Sequence, residues 1–269
     1  MTVTAPWETD WHIARAALEW QLDMGVDEAI CDAPVSRYDL PDKRETAPAP
    51  AKAAVAVPAG TGVEPAADPV ALARHAAESA GDLAALQAAL AAYDHCELKL
   101  GARNLVFADG QPNARVMIIG EAPGREEDRQ GKPFVGEAGQ LLDRMFAAIS
   151  MGRDNPDPSK ALYITNILPW RPPQNRDPSS DERAMMRPFV QRHIELIDPD
   201  ILILMGRISA GTLLETSEGI TRLRGQWRDV MGRPCLPMLH PAYLLRNPPM
   251  KRHAWADLLS LQARLRDTT

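Results

Sequence analysis

Four short segments of this chain carry residue types that can act on a planar, hydrogen-bonding ligand. The first is Gly120-Glu121-Ala122-Pro123-Gly124. Its glycines permit close backbone approach, and its proline stiffens the turn. The acids that follow it, Glu126, Glu127 and Asp128, can position a water. The second is Gly131-Lys132-Pro133-Phe134-Val135-Gly136. An aromatic ring on such a stiff loop can stack on a base. The third runs from Ile164-Thr165-Asn166 to Arg171-Pro172-Pro173-Gln174-Asn175-Arg176. A carboxamide offers one donor and one acceptor in a single plane, which suits one edge of a nucleobase. The fourth is His240-Pro241-Ala242-Tyr243-Leu244-Leu245-Arg246. Its histidine is placed to hydrogen-bond a bound group, and Leu244, Leu245 and Arg246 form an apolar wedge beside a cation, suited to entering a base stack. Taken singly, each segment is equally a turn, a core plug or a cap.

These segments need elements to hold them. From about Asn104 the sequence alternates apolar strands with helices. Strands are predicted at Arg115–Ile119, Leu162–Ile167, Ile201–Met205 and Cys235–Leu239, and helices near Glu137–Ile149, Asp181–Ile197, Arg207–Leu214 and Lys251–Leu265. Strands that are apolar on both faces, alternating with helices, imply a parallel sheet covered on both sides. Ligands of such sheets bind beyond the carboxyl ends of the strands, and each of the four segments follows or closely trails a predicted strand. Asp68-Pro69 reads as an N-cap followed by proline at the first helical position, and Ser179 with Glu182 as a capping box.

The chain has 269 residues, 45% hydrophobic and 25% charged, which is ordinary globular composition. No run of apolar residues is long enough for a membrane span. The N-terminus lacks a basic start and an apolar signal core. Cys31, Cys96 and Cys235 form no CxxC pair, so neither a disulfide framework nor a zinc site is expected, and a cytoplasmic location follows. Residues 1–45 read as a helical extension. Residues 46–69 are Ala, Pro or Gly at 16 of 24 positions and read as a linker. Residues 70–269 form the main domain. Net charge is −6, but residues 1–90 carry −8 and residues 91–269 carry +2. Arg222, Arg224, Arg228, Arg233, Arg246, Lys251 and Arg252 form a basic stripe that can follow a phosphate backbone.

The segments GEAPGREEDRQGKPFVGEAGQLLDRM, YITNILPWRPPQNRDP, LMGRISA, RLRGQW and HPAYLLRNP, in that order and spacing, resemble the family 4 uracil-DNA glycosylases. The resemblance covers roughly residues 93–265. It implies a three-layer α/β/α fold with a four-stranded parallel sheet. It also implies removal of uracil from DNA to leave an abasic site. By the same resemblance the uracil stacker falls on Phe134, the base reader on Asn166 and the histidine at uracil O2 on His240. Glu121 and Glu127 match acids that handle water. Gly120, Ala122 and Gly124 line the base, Asn175 matches a further motif asparagine, and Leu244, Leu245 and Arg246 the wedge. Arg224 and Lys251 are expected at the DNA backbone. Ala122 stands where some related glycosylases carry a catalytic Asp, so the leaving-group side is expected to carry more of the barrier.

One departure is large. The family usually holds a four-iron four-sulphur cluster on four cysteines. Aligning on Cys96 puts the other three positions at Tyr93, Trp170 and Met186. One thiolate of four is not credible ligation, so no cofactor is expected, and these side chains are expected to fill the cluster's space. Uracil-containing DNA is the expected partner of a monomer, with a repair or replication protein a candidate partner for the N-terminal helix and its Trp7, Trp11 and Trp20. Two other readings stay open: a catalytically idle DNA-binding or interaction module, and a covalent uracil-DNA binder. The second is disfavoured because TNILPWRPPQNR holds neither an inserted basic loop nor a histidine.

Overall fold

A computed structural model describes residues 68–267. The expectations for the N-terminal helix and most of the linker lie outside the described residues.

In chain order the helices are α1 (Pro69–Glu78), α2 (Leu83–Ala92), α3 (Leu98–Gly101), α4 (Arg125–Gln130), α5 (Glu137–Ala147), α6 (Ser180–Ile197), α7 (Arg207–Leu213), α8 (Ile220–Leu223), α9 (Pro241–Arg246) and α10 (Lys251–Asp267). The strands are β1 (Asp109–Gly110), β2 (Val116–Gly120), β3 (Leu162–Asn166), β4 (Ile201–Met205), β5 (Arg228–Val230) and β6 (Arg233–Met238). The sheet order is β1-β3-β2-β4-β6-β5. The four central strands β3, β2, β4 and β6 run parallel, as expected. Two short antiparallel strands, β1 and β5, were not expected and cap the two edges. β5 joins β6 through a tight turn, whereas β1 pairs with the distant β3, and at two and three residues both are too short to show a period.

The strands separate two cores by simple alternation, because successive side chains point to opposite faces. Met117, Ile119, Tyr163, Leu202, Leu204 and Cys235 face one cluster, which α1, α2 and α6 cover. Val116, Ile118, Leu162, Ile164, Ile201, Ile203, Met205, Leu236 and Met238 face the other, covered by α5 and α10. Each fully buried Leu or Ile contributes about 1.5–3 kcal/mol relative to exposure. That makes the sheet a stiff platform for the loops at its carboxyl edge.

The helix starts follow local chemistry. Asp68 accepts from the Val70 N–H at 3.0 Å, with Pro69 at the first position of α1. Ser179 Oγ accepts from the Glu182 N–H at 3.1 Å, and Glu182 accepts from the Ser179 N–H at 2.7 Å. Gly81 lies in the break between α1 and α2.

Candidate active site

The loops leaving β2, β3, β4 and β6 at their carboxyl ends enclose a cleft of about 510 Å³. Glu121, Ala122, Gly124, Glu127, Phe134, Asn166, Asn175, His240 and Arg246 all line it. Gly120 is the last residue of β2 and lies directly beside Asn166, the last of β3. A Cβ on Gly120 would come within 2.5 Å of the Phe134 ring, so only glycine lets ring and carboxamide meet there.

Phe134 is 5% exposed, with φ of 54°, a left-handed conformation that L side chains seldom adopt. Its ring stacks on the imidazole of His240, with centroids 5.5 Å apart. Asn166 is also 5% exposed. Its carboxamide has no hydrogen-bond partner among the described residues, so both its donor and its acceptor are available to a ligand in the cleft.

His240 caps α9. Its Nδ1 accepts from the Ala242 N–H at 3.2 Å. Burial, with the nearby charge of Arg246, pushes the imidazole pKa down to about 4. The ring is therefore neutral near pH 7, and its Nε2 carries the proton.

Glu121 is held by the Ile208 N–H, which donates to Oε1 at 2.8 Å. Burial raises its pKa above the ordinary carboxylate value, the backbone hydrogen bond opposing. Gly206, at φ 102°, leaves room for this carboxylate: a Cβ there would lie 2.5 Å from Oε1. Glu127 is placed differently from the water-handling acid expected. Its Oε2 accepts from the Gly124 N–H at 3.1 Å, and its Oε1 accepts from the Val135 and Gly136 N–H groups at 2.9 and 2.8 Å. Its carboxylate fastens the turn after β2 to the loop of Phe134. Asn175, at φ 53°, accepts from Arg171 Nε at 2.8 Å on the cleft's rim.

The wedge needs a correction. Leu244 is fully buried, packed with Leu141, Leu239 and Ala254. The helical turn of α9 points it inward, so Leu245 and Arg246 are the exposed members. Lys251 is exposed at the start of α10. Arg224 is not a free backbone-binding cation: its Nε donates to Asp257 Oδ2 at 3.0 Å, and Asp257 is 1% exposed. A buried carboxylate needs that partner more than solvent does. Arg233, in the same stripe, pairs with Asp198 at 2.6 Å.

Several lining residues carried no expectation. Arg207 and Asp177 form an exposed ion pair of 2.6 Å beside the cleft, and Tyr243 lines it from α9. Glycine followed by arginine after an apolar strand, Met205-Gly206-Arg207, was the available signal.

A three-layer α/β/α platform gathers an aromatic ring, an unpaired carboxamide, a neutral imidazole and a half-buried carboxylate in one cleft, the arrangement of an enzyme that acts on a planar, hydrogen-bonding ligand. The family described as the uracil DNA glycosylase superfamily matches residues 107–259. A type-4 uracil-DNA glycosylase of Saccharolobus solfataricus is 41% identical over 165 residues, spanning 58% of this chain and 74% of the relative. One of Thermotoga maritima is 36% identical over 154 residues, spanning 56% and 77%. One of Pyrobaculum aerophilum is 33% identical over 186 residues, spanning 66% and 91%. The chain belongs to the uracil DNA glycosylase superfamily and, within it, to the type-4 uracil-DNA glycosylases.

The residues at the four cluster positions do not fit an iron–sulphur cluster. Tyr93, Cys96, Trp170 and Met186 are all buried within one apolar core. The Tyr93 hydroxyl donates to the Pro69 carbonyl at 2.8 Å, and its ring meets Phe189 edge-on at 5.4 Å. One thiol is present, and burial raises its pKa, which opposes thiolate ligation. Among the described residues no group of three or more His, Cys, Asp or Glu is placed to hold a metal ion. No helix of the described residues is long and apolar enough to cross a membrane.

Proposed function

We propose that this protein flips uracil out of DNA and hydrolyses its N-glycosidic bond, leaving an abasic site. The observation that carries the reading is the convergence of Phe134, Asn166, His240 and Glu121, from separate segments, on one cleft. Family membership supports the same reaction.

Flipping a base out of the stack requires a few kcal/mol. Contacts of Leu245, Arg246 and Lys251 with the DNA offset it. The flipped uracil lies against Phe134 and the Gly120–Gly124 turn. Asn166 accepts from N3–H and donates to O4. Cytosine inverts that pattern and leaves buried polar groups unpaired, so discrimination is large.

The bond between N1 and C1′ breaks as the sugar becomes cation-like and uracil becomes an anion. His240, neutral with its proton on Nε2, donates to O2 and stabilises the charge that develops there. Ionised Glu121 favours the cationic sugar and orients water. The water oxygen bonds to C1′, and a proton ends on the departing uracil. No step uses a metal or a cluster, and Tyr93, Trp170 and Met186 fill the cluster's space with side chains.

Release of free uracil from single- and double-stranded oligonucleotides tests the reading. A hypoxanthine-containing oligonucleotide assayed in parallel defines the breadth of substrate. No uracil released from either uracil substrate, with DNA still bound, would establish the idle DNA-binding module instead. An adduct that survives denaturation would establish the covalent binder.

A further inference from the structure

Phe134 is both strained and enclosed, so something must hold its backbone. On one side Glu127 accepts from the N–H groups of Val135 and Gly136. On the other side lies Arg153, from the loop after α5 and 8% exposed. Its Nη1 donates to the Pro133 carbonyl at 3.0 Å, and its Nη2 to the Phe134 carbonyl at 2.8 Å. The remaining donors are also engaged. Nη1 meets Asp109 Oδ2 at 3.0 Å, Nε meets Asp143 Oδ1 at 3.0 Å, and Nη2 lies 2.9 Å from the same Asp143 oxygen. A guanidinium has five N–H donors in a planar fork; four of these contacts are hydrogen bonds, and the fifth, Nη2 to Asp143, is an ion pair.

We propose that Arg153 is a positioning residue for base stacking, a guanidinium clamp that fixes the Pro133–Phe134 backbone and aims the Phe134 ring into the cleft. Two facts distinguish this from ordinary structural support. The clamp grips the carbonyl of the very residue in a left-handed conformation, at φ 54°. Such a conformation persists only where its surroundings over-determine it. The clamp is also anchored at two distant points: Asp109 on the edge strand β1 and Asp143 on α5. A stacking ring must sit within a fraction of an ångström to be useful. Lysine could keep the charge, but it is a point donor and cannot hold two carbonyls and two carboxylates together. Although the proposal rests on the reading of Phe134 as the base stacker, the placement of the ring can be measured without any turnover.

The chain has four phenylalanines, at 107, 134, 146 and 189. Full-length protein labelled with 4-fluorophenylalanine gives one fluorine resonance for each, and Phe134→Leu assigns the second. Arg153→Lys is expected to shift or broaden the Phe134 resonance most, Phe146 in the same core cluster less, and Phe107 and Phe189 in the other cluster not at all. It is also expected to slow single-turnover uracil excision tenfold or more. Should that variant fail to fold, Asp143→Asn, altered at a partly exposed anchor, is read in the same way. An unchanged Phe134 resonance, or four resonances that move together, overturns the proposal. A wild-type protein that releases no uracil yet passes the fluorine test overturns the proposed reaction and leaves the clamp standing.

Discussion

The Ala242 N–H donates to Nδ1 of His240 at 3.2 Å. An N–H can point at an imidazole nitrogen only if that nitrogen is unprotonated. With the ring's pKa pushed to about 4 by burial and by Arg246, the single remaining proton sits on Nε2. Helix capping and leaving-group stabilisation thus become one arrangement: the backbone of α9 selects the tautomer that the chemistry needs.

Removing that donor is expected to slow the chemical step. His240→Ala should lower single-turnover uracil excision by about 10²–10³-fold, the size usual for one preorganised donor at a developing oxyanion. Quench-flow or manual single-turnover assays read this directly. A rate within threefold of wild type would remove His240 from the mechanism.

The base-reading role of Asn166 has its own signature. Asn166→Asp replaces the donor to O4 with a second acceptor. Uracil excision is expected to fall at least tenfold, about 1.4 kcal/mol, and the ratio of cytosine to uracil excision to rise. Undiminished uracil excision, measured on matched oligonucleotides, would count against the assignment.

The acid limb of the pH profile follows from two shifts of opposite sign. Burial raises the pKa of Glu121 above its ordinary 4.5 and lowers that of His240 to about 4. As pH falls, Glu121 is protonated first and its stabilising charge is lost. His240 is protonated afterwards, and its Nδ1 then clashes with the Ala242 N–H. In Glu121→Gln the remaining rate should be lower at neutral pH, and its inflection should move down to near 4. An inflection that stays where wild type has it would mean that Glu121 does not titrate in the reaction.

Much of this was legible in the sequence because it rests on period and punctuation. The four central strands could be read from apolar runs bounded by turns, and Asp68-Pro69 and Ser179…Glu182 mark helix starts in the sequence itself. The strand-end positions of Asn166 and His240 followed from the parallel-sheet rule. Facing was less visible. Leu244 and Leu245 are adjacent and chemically alike, yet one helical step of about 100° buries the first and exposes the second. Arg224 looked like any basic residue because its partner, Asp257, lies 33 positions away on another helix. Glu127 looked like a catalytic acid because sequence does not show that three backbone N–H groups already surround it. Arg153 gave no signal: its role depends on Asp109, Asp143 and two carbonyls that only the fold assembles.

The two arginine environments separate stability from DNA affinity. Arg224→Ala leaves Asp257 buried and unpaired, which is expected to lower stability by about 3 kcal/mol. The salt dependence of DNA binding should stay unchanged. Lys251→Ala should do the reverse: no change in the unfolding midpoint, and a salt slope of log K against log[salt] reduced by about 0.7–0.9, one phosphate contact's worth. Denaturant unfolding and fluorescence-anisotropy titrations at several salt concentrations check both. A shallower slope for Arg224→Ala would return that residue to the DNA-binding surface.

The packed region around Tyr93 leads to a prediction that separates this chain from a cluster-bearing relative. If side chains do the work of a cluster, the purified protein should be colourless and contain no stoichiometric iron or sulfide. Its stability should then answer to packing. Tyr93→Phe removes a hydroxyl bonded to the Pro69 carbonyl and should cost about 1 kcal/mol. Tyr93→Ala opens a cavity against Phe189 and should cost about 3–5 kcal/mol. Neither iron chelation nor ferricyanide should alter the unfolding curve or uracil excision. A brown protein with about four irons per chain, destabilised on oxidation, would show that Cys96 recruits ligands that this packing does not provide.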